Sequence, residues 1–278
     1  MIFDAHTHLN DEKLFVDWKS YVDQFIQSGG GGLINVWASD AFNANWLLIS
    51  QEVERSKGAK EQRFKGVIVR ATLGFHPDEL SNGHLKEDEI PAKIQELKDL
   101  YEANKEHIVA IGECGIDVHY PGTKEILPAQ KKLFIAQCEL ASQLDLPLVV
   151  HSRDDFESTF EILKNYKNLV IYFHCWPYGP DEIKRLKDLK IERLFIGFCG
   201  NITYKKSENL LATLREVSLD QLLLETDAPW LAPQVVRGTT NQPANVGFIY
   251  EFVSEFLQIS FESLTLQIEK NFKTVYQL

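Results

Sequence analysis

Six side chains of metal-ligand type stand at the ends of short apolar runs. His6 and His8 close the first run, and Glu113 lies near the end of the fourth. His151 and His174 close the fifth and sixth, and Asp227 follows the eighth. Imidazole and carboxylate donors suit zinc, manganese, magnesium or cobalt. One open catalytic zinc uses about three protein ligands and a water, so six donors point to two divalent metal ions. The expected partition gives His6, His8 and Asp227 to one ion and His151 and His174 to the other, with Glu113 bridging. Two ions roughly 3.5–4 Å apart clamp the attacking and leaving oxygens of a phosphoryl displacement. The chemistry expected is hydrolysis by a water activated between them. Asp227 and Glu113 are the expected catalytic carboxylates, Asp227 also taking the proton of the attacking water.

Other residues near the same run ends have expected supporting roles. His76, before Pro77, is a phosphate contact or a support to a ligand. Arg153 is placed to clamp a phosphate oxygen, or to pair with Asp154, Asp155 or Glu157. Arg237 and Asn241, in the segment after the eighth run, are candidate substrate contacts. Glu225 and Asp117 are candidates to orient ligand histidines. Trp176, Tyr178, Tyr204 and Trp230 either stack on bases or pack the rim. Cys114, Cys175 and Cys199 read as small buried hydrophobes, with Cys114 and Cys175 expected to point outward into the surrounding helices.

These residues converge only if the runs are parallel strands whose C-terminal ends share one face. The expected strands are 2–9, 32–38, 66–74, 107–116, 147–152, 169–174, 193–199 and 221–226. On a strand, the His6–His8 spacing puts both rings on one side, with Asp4 a layer below. Amphipathic helical patterns alternate with the strands at 18–28, 86–104, 128–144, 154–166, 181–190 and 207–217, and helices run from Val246 onward. Gly29–Gly32 reads as a tight helix-to-strand turn. Eight strand–helix units predict an α/β fold, a (β/α)8 TIM-type barrel forming one domain over residues 1–278.

Composition agrees with a folded enzyme. The 278 residues carry 29 basic and 40 acidic side chains, a net charge of −11, with 44% hydrophobic residues. This excludes a disordered chain or a fibre. It also argues against broad nonspecific binding of long nucleic acid, which needs many cationic contacts. Four dispersed cysteines without a Cys-x-x-Cys pair favour a reducing compartment. The N-terminal segment lacks the features of a signal peptide and no run is long and apolar enough to span a membrane, so a cytoplasmic location is expected. No obligate protein partner is evident.

The chain resembles the TatD-like metal-dependent hydrolases of the amidohydrolase superfamily, from Met1 to about Asn271. The resemblance rests on Phe3-Asp4-Ala5-His6-Thr7-His8-Leu9, Gly74-Phe75-His76-Pro77, Gly112-Glu113-Cys114-Gly115-Ile116-Asp117 and Val150-His151-Ser152-Arg153. It continues through Phe173-His174-Cys175, Leu224-Glu225-Thr226-Asp227-Ala228-Pro229-Trp230-Leu231, Arg237-Gly238 and Asn241-Gln242-Pro243. It implies a TIM-type barrel, two divalent ions and phosphodiester hydrolysis, that is, deoxyribonuclease activity of 3′→5′ exonuclease type on single-stranded DNA or RNA ends. Three segments depart from the family pattern: Trp176-Pro177-Tyr178 after His174, Cys114, and Trp37-Ala38-Ser39-Asp40. The alternative is an amide, ester or lactone hydrolase of a sister family. Many of those bridge their metals with a modified lysine on strand 4, where this chain has Glu113. A non-catalytic metal-binding scaffold is the third reading.

Overall fold

Runs rich in Val, Ile, Leu and Phe, buried on both faces, form strands that must be covered on each side, as in a parallel sheet flanked by helices. The computed structural model describes residues 1–37, 45–57 and 63–278. The eight strands are β1 Ile2–Thr7, β2 Gly30–Asn35, β3 Ile68–Leu73, β4 Ile108–Asp117, β5 Leu148–Arg153, β6 Val170–Phe173, β7 Arg193–Phe198 and β8 Leu222–Leu224. Each pairs in parallel with the next, in the order β1 to β8. At the C-terminal rim the ring closes: Asp227 N–H donates to the His6 carbonyl at 2.9 Å and His8 N–H to the Ala228 carbonyl at 2.8 Å. The fold is the (β/α)8 barrel expected from the alternating pattern.

Between and after the strands lie α1 Glu12–Phe15, α2 Trp18–Gln27, α3 Trp46–Lys57, α4 Asp78–Ser81, α5 Ile90–Ala103 and α6 Leu127–Leu144. They are followed by α7 Phe156–Leu163, α8 Pro180–Asp188, α9 Glu208–Glu216, α10 Val246–Leu257 and α11 Phe261–Tyr276. Helix α6 buries Leu133, Phe134, Cys138, Leu140 and Ala141 against the sheet and ends where Asp145 turns left-handed. Helix α7 starts two residues later than its pattern suggested, because the Asp155 side chain accepts from Ser158 N–H and caps it. The last two helices seal β1. Tyr250 Oη accepts from Phe3 N–H and donates to the Phe3 carbonyl, both at 3.0 Å. Tyr276 Oη donates to the Ala5 carbonyl at 2.7 Å. No described helix is long and apolar enough to cross a membrane.

Two local expectations need correction. The turn into β2 is Gly29 alone, at φ +90°, while Gly30–Gly32 belong to the strand. Side chains are excluded there: a Cβ on Gly32 would lie 2.9 Å from the Phe3 ring. The expected second strand ended at Ala38; it ends at Asn35, and 38–40 lie outside the described residues.

Candidate metal centre

Irregular pairing near the strand ends aims the ligands. Between β4 and β5, Ile111 pairs with Leu148 but Cys114 pairs with Val150, so three steps on β4 face two on β5. Such a bulge reorients the side chain it contains, and here that residue is Glu113. Gly112 (φ +132°) and Gly115 (φ +155°) bracket it. A Cβ on Gly115 would overlap the His151 carbonyl oxygen, so β4 passes β5 this closely only with glycine there. The same offset occurs where Asp4 pairs with Leu33 and Thr7 with Asn35, and it presents His6 at the mouth. Asp227 has φ +54°, a left-handed conformation that aspartate tolerates better than most residues.

The six donors meet in one buried cluster. Glu113 Oε2 lies 2.7 Å from His6 Nε2, 3.5 Å from His174 Nε2 and 3.9 Å from His8 Nε2. Its Oε1 faces the other side, 3.7 Å from His151 Nδ1 and 3.2 Å from His76 Nε2. Asp227 Oδ1 lies 3.4 Å from His8 Nε2 and 3.8 Å from His6 Nε2. His151 Nδ1 and His174 Nε2 are 3.2 Å apart, and the His6 and His174 rings stack at 4.0 Å. Glu113 thus stands between the two histidine groups with an oxygen toward each.

This donor set fits divalent cations. Glu113 Oε2 is buried with no aligned hydrogen-bond donor. A carboxylate oxygen in that state among imidazole nitrogens is costly unless a cation or proton compensates it. Three groups that include Glu113 or His174 (His6–His8–Glu113, His76–Glu113–His151 and His6–His174–Glu225) have all donor atoms within 4.8 Å of one another.

Charge states follow from surroundings. Burial opposes ionisation of Glu113, but the charges of His174 and His6 outweigh it and hold its carboxyl well below the usual range. Burial also opposes protonation of His8; the Asp227 bond, with the Glu113 and Asp227 charges, overcomes this and raises it. His151 is raised likewise, chiefly by its bond to Asp117. His174 is pushed well down by burial and by His6, and His76 is lowered by burial and His151.

Surrounding contacts fix ring orientations. Asp117 Oδ2 lies 3.1 Å from His151 Nε2, which leaves Nδ1 facing the cluster. His76 Nδ1 accepts from Asp78 N–H at 3.1 Å, so a neutral His76 carries its proton on Nε2, toward Glu113 Oε1. Glu225 accepts from the Tyr172 hydroxyl and Cys175 N–H; its Oε1 is 3.7 Å from His174 Nδ1, too long for a hydrogen bond. Asp4 does not reach the cluster. It ties β1 to the end of β8 by accepting from Thr226 N–H at 2.8 Å and Thr226 Oγ1 at 2.6 Å.

Several expectations are overturned. Asn241 cannot touch substrate: it is fully buried, with Nδ2 donating to the Thr226 and Trp230 carbonyls at 2.9 and 2.7 Å and Oδ1 accepting from Gln242 N–H and Asn245. Arg153 pairs with none of Asp154, Asp155 or Glu157. It lies over the Tyr120 ring, 4.0 Å from Asp117. Cys175 does not turn into the helix layer; its sulfur clusters with those of Cys199 and Glu225's carboxylate. Exposed Arg237 lies over the Tyr204 ring at 4.3 Å. Trp176 and Tyr178 are packed inward, with Trp176 Nε1 bonding the Tyr178 carbonyl and Tyr178 Oη lying 2.8 Å from Ser152 Oγ.

Two functional supports escaped the sequence reading. Gln137 and Gln130, fully buried on α6, clamp the backbone of site-bearing segments. Gln137 accepts from Phe75 N–H and donates to the Phe75 carbonyl; Gln130 does the same for Asp117. The available signal was a polar residue, Gln137, within an otherwise apolar stripe.

The match to the family described as "TatD related DNase" spans residues 3–277. The chain belongs to the TatD-related DNase family. Among curated relatives it is similar to an uncharacterised metal-dependent hydrolase, MG009, of Mycoplasma genitalium, 33% identical over 279 residues, 99% of this chain and 98% of that one. It is also similar to YabD of Bacillus subtilis, likewise described as an uncharacterised metal-dependent hydrolase, 28% identical over the full length of both. YjjV, a TatD homologue of Escherichia coli, shares the fold with a TM-score of 0.82, at 22% identity over 100% of this chain and 98% of that one. This TatD-family chain is a metal-dependent hydrolase, and its histidine and carboxylate groups are placed to bind metal.

Proposed function

We propose that this hydrolase cleaves phosphodiester bonds at nucleic-acid ends, as a deoxyribonuclease acting 3′→5′ on single-stranded DNA or RNA. The observation that carries the reading is Glu113, a carboxylate with one oxygen toward His6, His8 and His174 and the other toward His151 and His76. A carboxylate at this point on β4, where many sister hydrolases are expected to carry a modified lysine, favours the phosphodiesterase reading over the amide or lactone one. The polarity of digestion rests on family resemblance.

Two divalent ions held by His6, His8, Asp227, His151, His174 and Glu113 would supply a Lewis acid and lower the pKa of a nucleophilic water. The protein's own residues do the rest. Asp227, the most exposed of the acidic donors, takes the proton of the attacking water. Glu113 stays ionised and balances the cationic charge. His76 holds its Nε2–H toward Glu113 Oε1, 3.2 Å away, and so supports that carboxylate. Asp117 keeps His151 Nδ1 turned inward.

The test is a panel of oligonucleotides, simple phosphodiesters, amides and lactones with the protein loaded with manganese or magnesium. The reading expects oligonucleotide cleavage that a chelator abolishes. Turnover of an amide or lactone with no attack on phosphodiesters would transfer the assignment to the sister chemistry.

A further inference from the structure

Four of the five tryptophans, Trp18, Trp37, Trp46 and Trp176, are at most 5% exposed, whereas Trp230 is 41% exposed. A single exposed aromatic is ordinary on a protein surface. The placement of this one is not. Its ring stands edge-to-face with His8 at 4.9 Å, three residues after Asp227. Its backbone is also fixed: Trp230 N–H donates to the Asp227 carbonyl at 3.0 Å and its carbonyl accepts from Asn241 at 2.7 Å. An indole anchored at both backbone groups, against a donor histidine, and still open to solvent is a preformed flat surface at the lip of the cluster.

We infer that Trp230 is the stacking platform for the nucleobase next to the bond being cleaved. This rests on the nuclease reading and adds a subsite to it. Every base has a π face, so such a platform accepts any sequence while favouring the larger purine face. It also explains how a chain of net charge −11 holds a polyanion end: one stacked base beside the cations replaces an extended basic surface. Trp230 is a binding residue in this scheme, with no part in proton transfer.

The experiment pairs Trp230→Ala and Trp230→Phe with two substrates, an oligonucleotide and the same oligonucleotide lacking its terminal base, using metal-loaded protein. On the intact substrate Trp230→Ala raises KM by about 5- to 100-fold with a smaller change in kcat, and Trp230→Phe recovers most of the loss. On the abasic substrate wild type is already weakened, and the two losses do not add. A phosphorothioate-linked oligonucleotide quenches the tryptophan fluorescence of wild type, and the abasic version does so less. Equal losses on both substrates, or a loss confined to kcat, would show that Trp230 acts through His8 or the turn, and the subsite is then wrong while the nuclease reading stands. Failure of wild type to cleave either oligonucleotide overturns the nuclease reading and this inference together.

Discussion

His8 Nδ1 lies 3.1 Å from the carbonyl oxygen of Val36, just beyond the end of the neighbouring strand. A carbonyl only accepts, so Nδ1 carries the hydrogen and Nε2 is the atom offered to the cluster. This bond costs His8 its freedom to choose a tautomer and makes it a directed donor before any cation arrives.

Metal affinity is therefore coupled to pH. The pKa values of His8 and His151 are raised in the metal-free protein, so each ring keeps its extra proton to a higher pH than a free imidazole, and a cation must expel that proton wherever it is held. Affinity is full above the raised pKa values and is lost as pH falls through them, by up to about tenfold per pH unit for each proton released. Calorimetric titration in two buffers of different ionisation heat gives the proton count. Affinity that stays constant from pH 6 to 8 would contradict it.

Asp227→Asn separates chemistry from folding. The Asp227 N–H bond to the His6 carbonyl belongs to the backbone and survives the change. The variant should fold with an unchanged circular-dichroism spectrum, while kcat falls by about 10²–10⁴ with saturating metal, the range for loss of a general base. Rates within a few-fold of wild type would remove Asp227 from the proton-transfer role.

The strands and the donor cluster were legible because both are written as local pattern: apolar runs buried on two faces, five of the eight closing on or leading into a histidine or carboxylate. Residues that work through remote backbone were not. Asn241 carries the same polar amide whether it meets a substrate or two buried carbonyls, and only the path of the chain between Thr226 and Asn241 decides. Asp4 follows the same logic: its carboxylate is taken up by Thr226 N–H and Oγ1, just past the end of β8, a partner that alternation along β1 does not disclose. Arg153 was weighed against the acids nearest in sequence, whereas its neighbours, Tyr120 and Asp117, come from the preceding strand and the segment after it.

Asn241→Asp tests the corrected role. The new oxygen faces the Thr226 and Trp230 carbonyls that now receive hydrogen bonds, so two buried acceptors lose their donor. Loss of about 1–3 kcal/mol is expected, a Tm decrease of about 2–12 °C for a domain of this size. Activity should fall too, since this turn carries Asp227 and Trp230. A variant as stable as wild type with only KM raised would restore Asn241 as a substrate contact.

Gln137 offers a way to move His76 without touching the cluster. Its amide accepts from Phe75 N–H at 2.7 Å and donates to the Phe75 carbonyl at 3.0 Å, which fixes the residue before His76. Gln137→Glu keeps the acceptor and sets a second oxygen against the carbonyl, so the Phe75–His76 segment must shift away from α6. The variant should lose about 1–3 kcal/mol of stability. It should also lose kcat, because Nε2–H of His76 no longer meets the site at its present 3.2 Å from Glu113. Metal affinity should change little, since Gln137 bonds the Phe75 backbone and none of the six principal donors. The decisive comparison is made in a His76→Ala background: there Gln137→Glu should still lower Tm but cost no further kcat. An equal further loss of kcat would mean that Gln137 acts on the centre by a route that bypasses His76.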